Sequence, residues 1–186
     1  MSAKDSIIIG VDPGTTVMGY GVLQVQQHKY TLLSMGVVKL QKHTDHYERL
    51  HKIYEKITQL IHHYRPEVLS IEAPFYGKNV QSMLKLGRAQ GVAMAAAMAQ
   101  GLPVFEYAPK KIKQSITGSG NASKEQVAGM LAHLVPFDRS PKFLDATDAL
   151  AAAVCHHIQA TSPGGGTKKG NTDWSSFVKN NPGRVS

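Results

Sequence analysis

The sequence predicts an α/β fold in which a mixed five-stranded sheet is flanked by helices. Two patterns predict it. Ser6 to Leu40 holds three β-rich runs broken by turn residues, which reads as an antiparallel meander. Beyond Asp45 the apolar residues switch to helical spacing, and two further short strands alternate with helices. Such alternation puts parallel strands into the sheet and helices over its faces.

The meander comprises Ser6 to Asp12, Gly19 to Gln26 and Tyr30 to Leu40. Tyr47, Leu50, Ile53, Tyr54, Ile57, Leu60, Ile61 and Tyr64 then form one helical stripe. Asp45, with Glu48 three positions on, has the form of a capping box at its start, and Pro66 stops it. Val68 to Glu72 is a fourth strand. Asn79 to Gln100 is a long helix closed by Gly101 and Pro103, and Val104 to Tyr107 is the fifth strand. Pro109 to Thr117 is a short helix, followed by the loop "GSGNAS". Ser123 and Gln126 form a second capping box, which opens a helix to His133. A last helix runs from Lys142 to Gln159, with Ser140 and Pro141 suited to its start.

The chain has 186 residues, 42% hydrophobic, enough for one cored domain with a tail. Residues 1–160 form that domain. Thr161 to Ser186 is poor in apolar residues and carries +3 of the net +8, so it reads as a flexible basic tail. Trp174 and Phe177 in it suggest a small docking motif. A pI of about 9.6 favours a polyanionic partner. Cys155 is the single cysteine, which excludes an internal disulfide and points to a reducing compartment. The apolar run Ile7 to Val11 is too short for a signal peptide or a membrane span, so the expected location is cytoplasmic, with no membrane partner.

Most acidic residues sit at element ends or on polar faces, where solvation or capping accounts for them. Four do not. Asp12 closes the apolar strand "IIIGVD" and Glu72 closes "VLSIE". Asp145 and Asp148 interrupt the apolar helix "FLDATDALAAAV", three residues apart and therefore within about 60° of each other round the axis. Taken singly, Asp12 before Pro-Gly is a turn former, Glu72 is a strand end, and the helix pair marks an exposed face. Taken together, two strand-end carboxylates from parallel neighbours would lie side by side, with the helix pair opposite. Carboxylates held so close raise each other's pKa, and a divalent cation removes the conflict. All-oxygen ligands favour a hard ion, Mg²⁺ or Mn²⁺. Such ions activate water and stabilise a leaving oxygen in phosphoryl displacement.

Four blocks, "GVDPGTTVMGYGV", "SIEAPFYGKNVQSMLKLGRAQGV", "PVFEYAPKKIKQSITGSGNASKEQV" and "DATDALAAAVCH", closely resemble the bacterial RuvC-type Holliday-junction resolvases, in order and at family spacing from Ile7 to about His157. The resemblance implies a ribonuclease-H-like fold and a homodimer. It implies paired, symmetric, Mg²⁺-dependent nicks in four-way junction DNA, leaving 5′-phosphate and 3′-hydroxyl ends. By motif position the catalytic and metal-binding carboxylates are Asp12, Glu72, Asp145 and Asp148. Lys113 and Lys124 match two family lysines implicated in junction binding and cleavage, and Phe75 matches a base-stacking phenylalanine. Lys78 and Asn79 are read as phosphate contacts. The family also works with a branch-migration motor of RuvA and RuvB type.

Each of these residues has a plainer use. A lysine is usually solvated, although Lys124 in the first turn of a helix is unfavourable there without an anion. A loop aromatic such as Phe75 or Tyr76 is often a core anchor. The helix Asn79 to Gln100, with Gly87, Gly91 and many alanines, must pack on its own sheet as well as serve a dimer. His62, His63, His156 and His157 lie near helix C-termini, where a partly positive imidazole is favoured, and are not expected to bind metal. Two other functions stay open. "IGVDPGTT" also resembles the first phosphate loop of actin-like ATPases, though the chain is too short for their second lobe, and a non-catalytic junction-binding module would share the same surface.

Overall fold

The computed structural model describes residues 5–27, 29–74, 79–137 and 144–162. Phe75, Tyr76, Lys78, the start expected for the last helix at Lys142, and the tail from residue 163 onward lie outside the described residues.

Three strands, β1 (Ser6–Asp12), β2 (Val17–Gln26) and β3 (Lys29–Lys39), form the meander; then follow α1 (His46–Tyr64), β4 (Val68–Glu72), α2 (Val80–Ala99), β5 (Val104–Tyr107), α3 (Pro109–Thr117), α4 (Lys124–Leu134) and α5 (Leu144–Thr161). The five strands make one sheet in the order β3-β2-β1-β4-β5. The β1–β2 and β2–β3 pairs are antiparallel, whereas β1–β4 and β4–β5 are parallel.

Both faces of the sheet are covered, which is why β1 and β4 read as unbroken apolar runs. Ile9, Val11, Leu69 and Ile71 face α1 and α2, while Ile8 and Val68 face α3, α4 and α5. Strand side chains alternate, so Gly10 and Asp12 share the face of Ile8, and Ser70 and Glu72 share that of Val68. The register Val11↔Ile71 brings the two strand ends level.

Helix α5 is the central helix. Residues 149–157 are buried without a break, so it is not the half-exposed amphipathic helix that an Asp pair ordinarily marks. It fits because strand glycines lie beneath it. A Cβ on Gly10 would run into the carbonyl of Ala149, and one on Gly19 into the carbonyl of Asp145. Ser70 Oγ donates to Ala152 O at 2.7 Å and ties the helix to β4.

Two local expectations are corrected. Asp45 does cap α1, its side chain accepting from Tyr47 N, but Glu48 forms no capping box. It turns instead to His43 Nδ1 at 3.4 Å. His156 is not a favourable cation at a helix end. It is buried, its ring lies 4.6 Å from that of Phe105, and burial, with the neighbouring His157, pushes its pKa down to about 4. The Ser123–Gln126 capping box is present in full. Among the described residues, no helix is long and apolar enough to cross a membrane.

Candidate metal centre

Asp12 reaches the site from the last position of β1. The turn that follows is made by Pro13 and Gly14, where a Cβ would strike the carbonyl of Val17. Arg49 holds the turn in place, its Nη1 donating to Thr15 O and its Nε to His43 O. The carboxylate is therefore presented by a rigid strand end and is not spent on forming the turn.

Asp145 comes from the first turn of α5 and Asp148 from the start of its second. Gly19 is paired in register with Asp12, and it is Gly19 that receives the backbone of Asp145. One absent side chain thus brings the helix carboxylates down onto the strand carboxylate. Asp12, Asp145 and Asp148 each offer a carboxylate oxygen, and these oxygens lie within 4.8 Å of one another. Glu72 is outside that trio but lines the same cavity, of about 180 Å³, together with Asp12, Asp148, Lys113 and Lys124.

Burial and crowding make the cluster reluctant to ionise. The Asp12 carboxyl is pushed up to about 8, first by burial, then by the charges of Glu72, Asp148 and Asp145, with Lys124 pulling it back. Glu72 is pushed up to about 7 by burial and then by Asp148, against the pull of Lys124 and Lys113. Such a site is short of positive charge. Its donors are hard oxygens and its partners are carboxylates, so the residues present fit a divalent metal ion.

The lysines occupy the rim. Lys124, the first residue of α4, donates from Nζ to Asp148 Oδ2 at 2.5 Å. That contact supplies the anion that a cation in a first helical turn lacks. Lys113, one turn into α3, faces Glu72 across the cavity. Asn79 lies elsewhere. Its Oδ1 accepts from Ser82 N and caps α2. Phe75 and Lys78 fall outside the described residues.

The strand glycines Gly10, Gly19 and Gly21 are site-building residues that the motif reading does not single out. Their signal is nonetheless in the sequence, because glycine inside a strand marks a close backbone approach.

A meander joined to parallel strands, with carboxylates at the ends of the central pair and on the helix that crosses them, defines a ribonuclease-H-like fold carrying a divalent metal site. The family model "Crossover junction endodeoxyribonuclease RuvC" matches residues 8–156, and the chain belongs to that family. It is 59% identical over 181 residues to the crossover junction endodeoxyribonuclease RuvC of Cytophaga hutchinsonii, covering 97% of this chain and 88% of the relative. It is 56% identical to that of Porphyromonas gingivalis over the full length of both. Among solved structures, Thermus thermophilus RuvC in complex with a Holliday-junction substrate superposes with a TM-score of 0.77 at 33% identity, over 83% of this chain and 94% of that one. The yeast mitochondrial resolvase Ydc2 shares the fold, with a TM-score of 0.64 at 14% identity over 85% and 80% of the two chains.

Proposed function

We propose that this chain is a structure-selective endonuclease that resolves four-way DNA junctions by paired, symmetric nicks, in homologous recombination and DNA repair in the cytoplasm. The observation that carries this reading is the convergence of Asp12, Asp145 and Asp148, with Glu72 in the same cavity and lysines at its rim.

Asp12, Glu72, Asp145 and Asp148 hold Mg²⁺, with Mn²⁺ as a substitute. When bound, the ion supplies an activated water and a counter-charge for the leaving oxygen. Lys113 and Lys124 face the scissile phosphate and offset the charge that develops on it. Phe75 stacks on an unpaired base near the branch, and Lys78 and Asn79 contact flanking phosphates. The products carry a 5′-phosphate and a 3′-hydroxyl.

A homodimer delivers the second nick. Val80, Leu84 and Met98 are exposed along α2, on the same side as Gly87 and Gly91. A Cβ at either glycine would meet nothing within 4 Å, so neither is kept small by packing inside the chain. A two-fold pairing through this face aims two sites at two strands of a junction of matching symmetry. Residues 1–160 make up the nuclease domain and 161–186 a basic tail that gives weak contact with DNA or with the branch-migration motor working on the same junction.

The test is a nicking assay on labelled four-way junctions with Mg²⁺, comparing wild type with Asp12→Asn. The expected result is symmetric nicks from wild type, none from the variant, and junction binding by both. Binding without nicks from wild type, across several junction sequences and with either ion, would reduce the protein to a binding module.

A further inference from the structure

Beside the carboxylate cavity lies a second, larger one of about 560 Å³. The sequence builds its walls from a repeated feature. Both parallel strands that flank it, β4 and β5, leave the sheet through an Ala-Pro pair, Ala73-Pro74 and Ala108-Pro109. Ala73 N donates to Tyr107 O at 2.9 Å and holds the two exits together. Short apolar side chains and proline rings form this wall.

The opposite side is polar. Lys110 and Lys113 lie on the first turns of α3, and Asn121 stands on the loop after it. A Cβ on Gly120 would approach Lys110 O to 3.2 Å, so that loop is packed tightly against the start of α3 and Asn121 is held over the cavity. Asn121 is exposed, and its backbone N–H is taken by Ser119 Oγ. Pro109 and Lys113 line both cavities, so the second adjoins the carboxylate cavity.

We propose that this cavity takes one unstacked nucleobase of the strand whose phosphate lies at the carboxylates. The proposal rests on the nuclease reading above. Its volume falls within the range of about 300–1,000 Å³ usual for small-molecule pockets. Apolar walls suit the faces of a base, a side-chain amide suits its hydrogen-bonding edge, and two lysines suit the phosphates on either side. A base extruded from a duplex is read in this way, and the unpairing cost is smallest where the base is already unpaired. Asn121 then favours one base over another at a fixed step from the cut. Lys110 is a phosphate contact outside the carboxylate cavity.

The experiment uses the full-length protein with Mg²⁺ and a set of four-way junctions, each with one abasic nucleotide at a different position around the cut. Wild type is expected to lose about tenfold in kcat/KM at one position next to the scissile phosphate. Ala108→Leu fills the cavity from an exposed position. It is expected to show a similar loss on the intact junction and no further loss when that same position is abasic. Asn121→Ala is expected to flatten the base preference at that position by about fivefold. Two results overturn the proposal: abasic and Ala108→Leu losses that multiply, or an Asn121→Ala cleavage pattern identical to that of wild type. Failure of wild type to nick any junction is a different outcome and overturns the nuclease reading itself.

Discussion

Lys124 Nζ and Asp148 Oδ2 lie 2.5 Å apart and join the first turn of α4 to the N-terminal part of α5 across the mouth of the carboxylate cavity. The ammonium is a cation seated where the cluster needs one, and Asp12 and Asp145 act on it as well. On the function proposed above, it would compete with a divalent ion for Asp148 and, once released, would be free to meet a phosphate.

The first prediction follows from that competition. Lys124→Met should bind Mn²⁺ more tightly than wild type in the absence of DNA, by up to about fivefold for a pair this exposed. The same variant should cut junctions more slowly at saturating metal, by about 10²-fold, because a charge aimed at the phosphate is lost. Calorimetric titration of the metal and single-turnover cleavage check the two halves. Weaker metal binding in the variant would mean that the lysine supports the ion rather than competing with it.

The raised carboxyls predict an unusual dependence of stability on pH. Asp12 titrates near 8 and Glu72 near 7, against ordinary values of 3.8 and 4.5. In chelator the fold holds protons that the unfolded chain releases. Their contribution is complete below about pH 4 and is lost as pH rises through 7 to 8. His156 works in the opposite sense. Its folded pKa of about 4 gives a contribution present above 6.5 and lost as pH falls. Asp12→Asn separates the two. At pH 8 in chelator it should melt above wild type by roughly 4–8 °C, equivalent to about 2 kcal/mol, and at pH 5 the difference should shrink toward zero. Adding a divalent ion at pH 8 should raise the wild type alone. A pH-independent difference would place the effect outside the carboxylate cluster.

The four carboxylates were legible because each interrupts an apolar run, and strand parity alone puts Asp12 and Glu72 on one face. The presence of parallel strands in a mixed sheet followed from short strands alternating with helices, whereas the order β1-β4-β5 came from the structure. What packs against a residue was not legible. Asp45 and Glu48 have capping-box spacing, but His43 offers Glu48 a partner from outside the helix. His156 has the sequence position of a helix-end cation, yet its ring is enclosed by Phe105 and by Tyr107, whose hydroxyl lies 2.9 Å from Nδ1. Asn79 has a local role that the sequence reading did not name, its Oδ1 capping the helix it opens. For His156 the deciding neighbours, Phe105 and Tyr107, are distant in sequence, whereas for Glu48 and Asn79 they are close, and spacing alone does not choose between competing partners.

Gly19 supports a prediction of its own. It is opposite Asp12 in the ladder and against the backbone of Asp145, so a methyl group there forces α5 away from β1. Gly19→Ala should lower stability by about 1–3 kcal/mol, the usual cost of overpacking. It should also weaken Mn²⁺ binding, because Asp145 and Asp148 move with the helix while Asp12 stays with the strand. Gly87→Ala, with open space around its Cβ, is the control and should leave metal affinity unchanged. Metal titration of both variants at a temperature where each is folded decides it. Equal affinity in all three proteins would show that the carboxylates tolerate displacement of the helix.

The exposed face of α2 carries the last prediction. Leu84 is 52% exposed and Met98 65%, an apolar surface with two glycines between them. If two copies meet on this face, Leu84→Asp places a charge in the contact from each side, and the dimer should dissociate into folded monomers in sedimentation at micromolar concentration. Asp12, Glu72, Asp145 and Asp148 lie on β1, β4 and α5 and not on α2, so the monomer keeps its metal affinity. Cleavage should then lose its pairing. On a junction held in a supercoiled cruciform, wild type should release linear plasmid by two nicks within one binding event, whereas Leu84→Asp should accumulate the singly nicked circle. A monomeric variant that still linearises the plasmid at the wild-type ratio would show that each nick is made independently and that the two-fold arrangement serves binding alone.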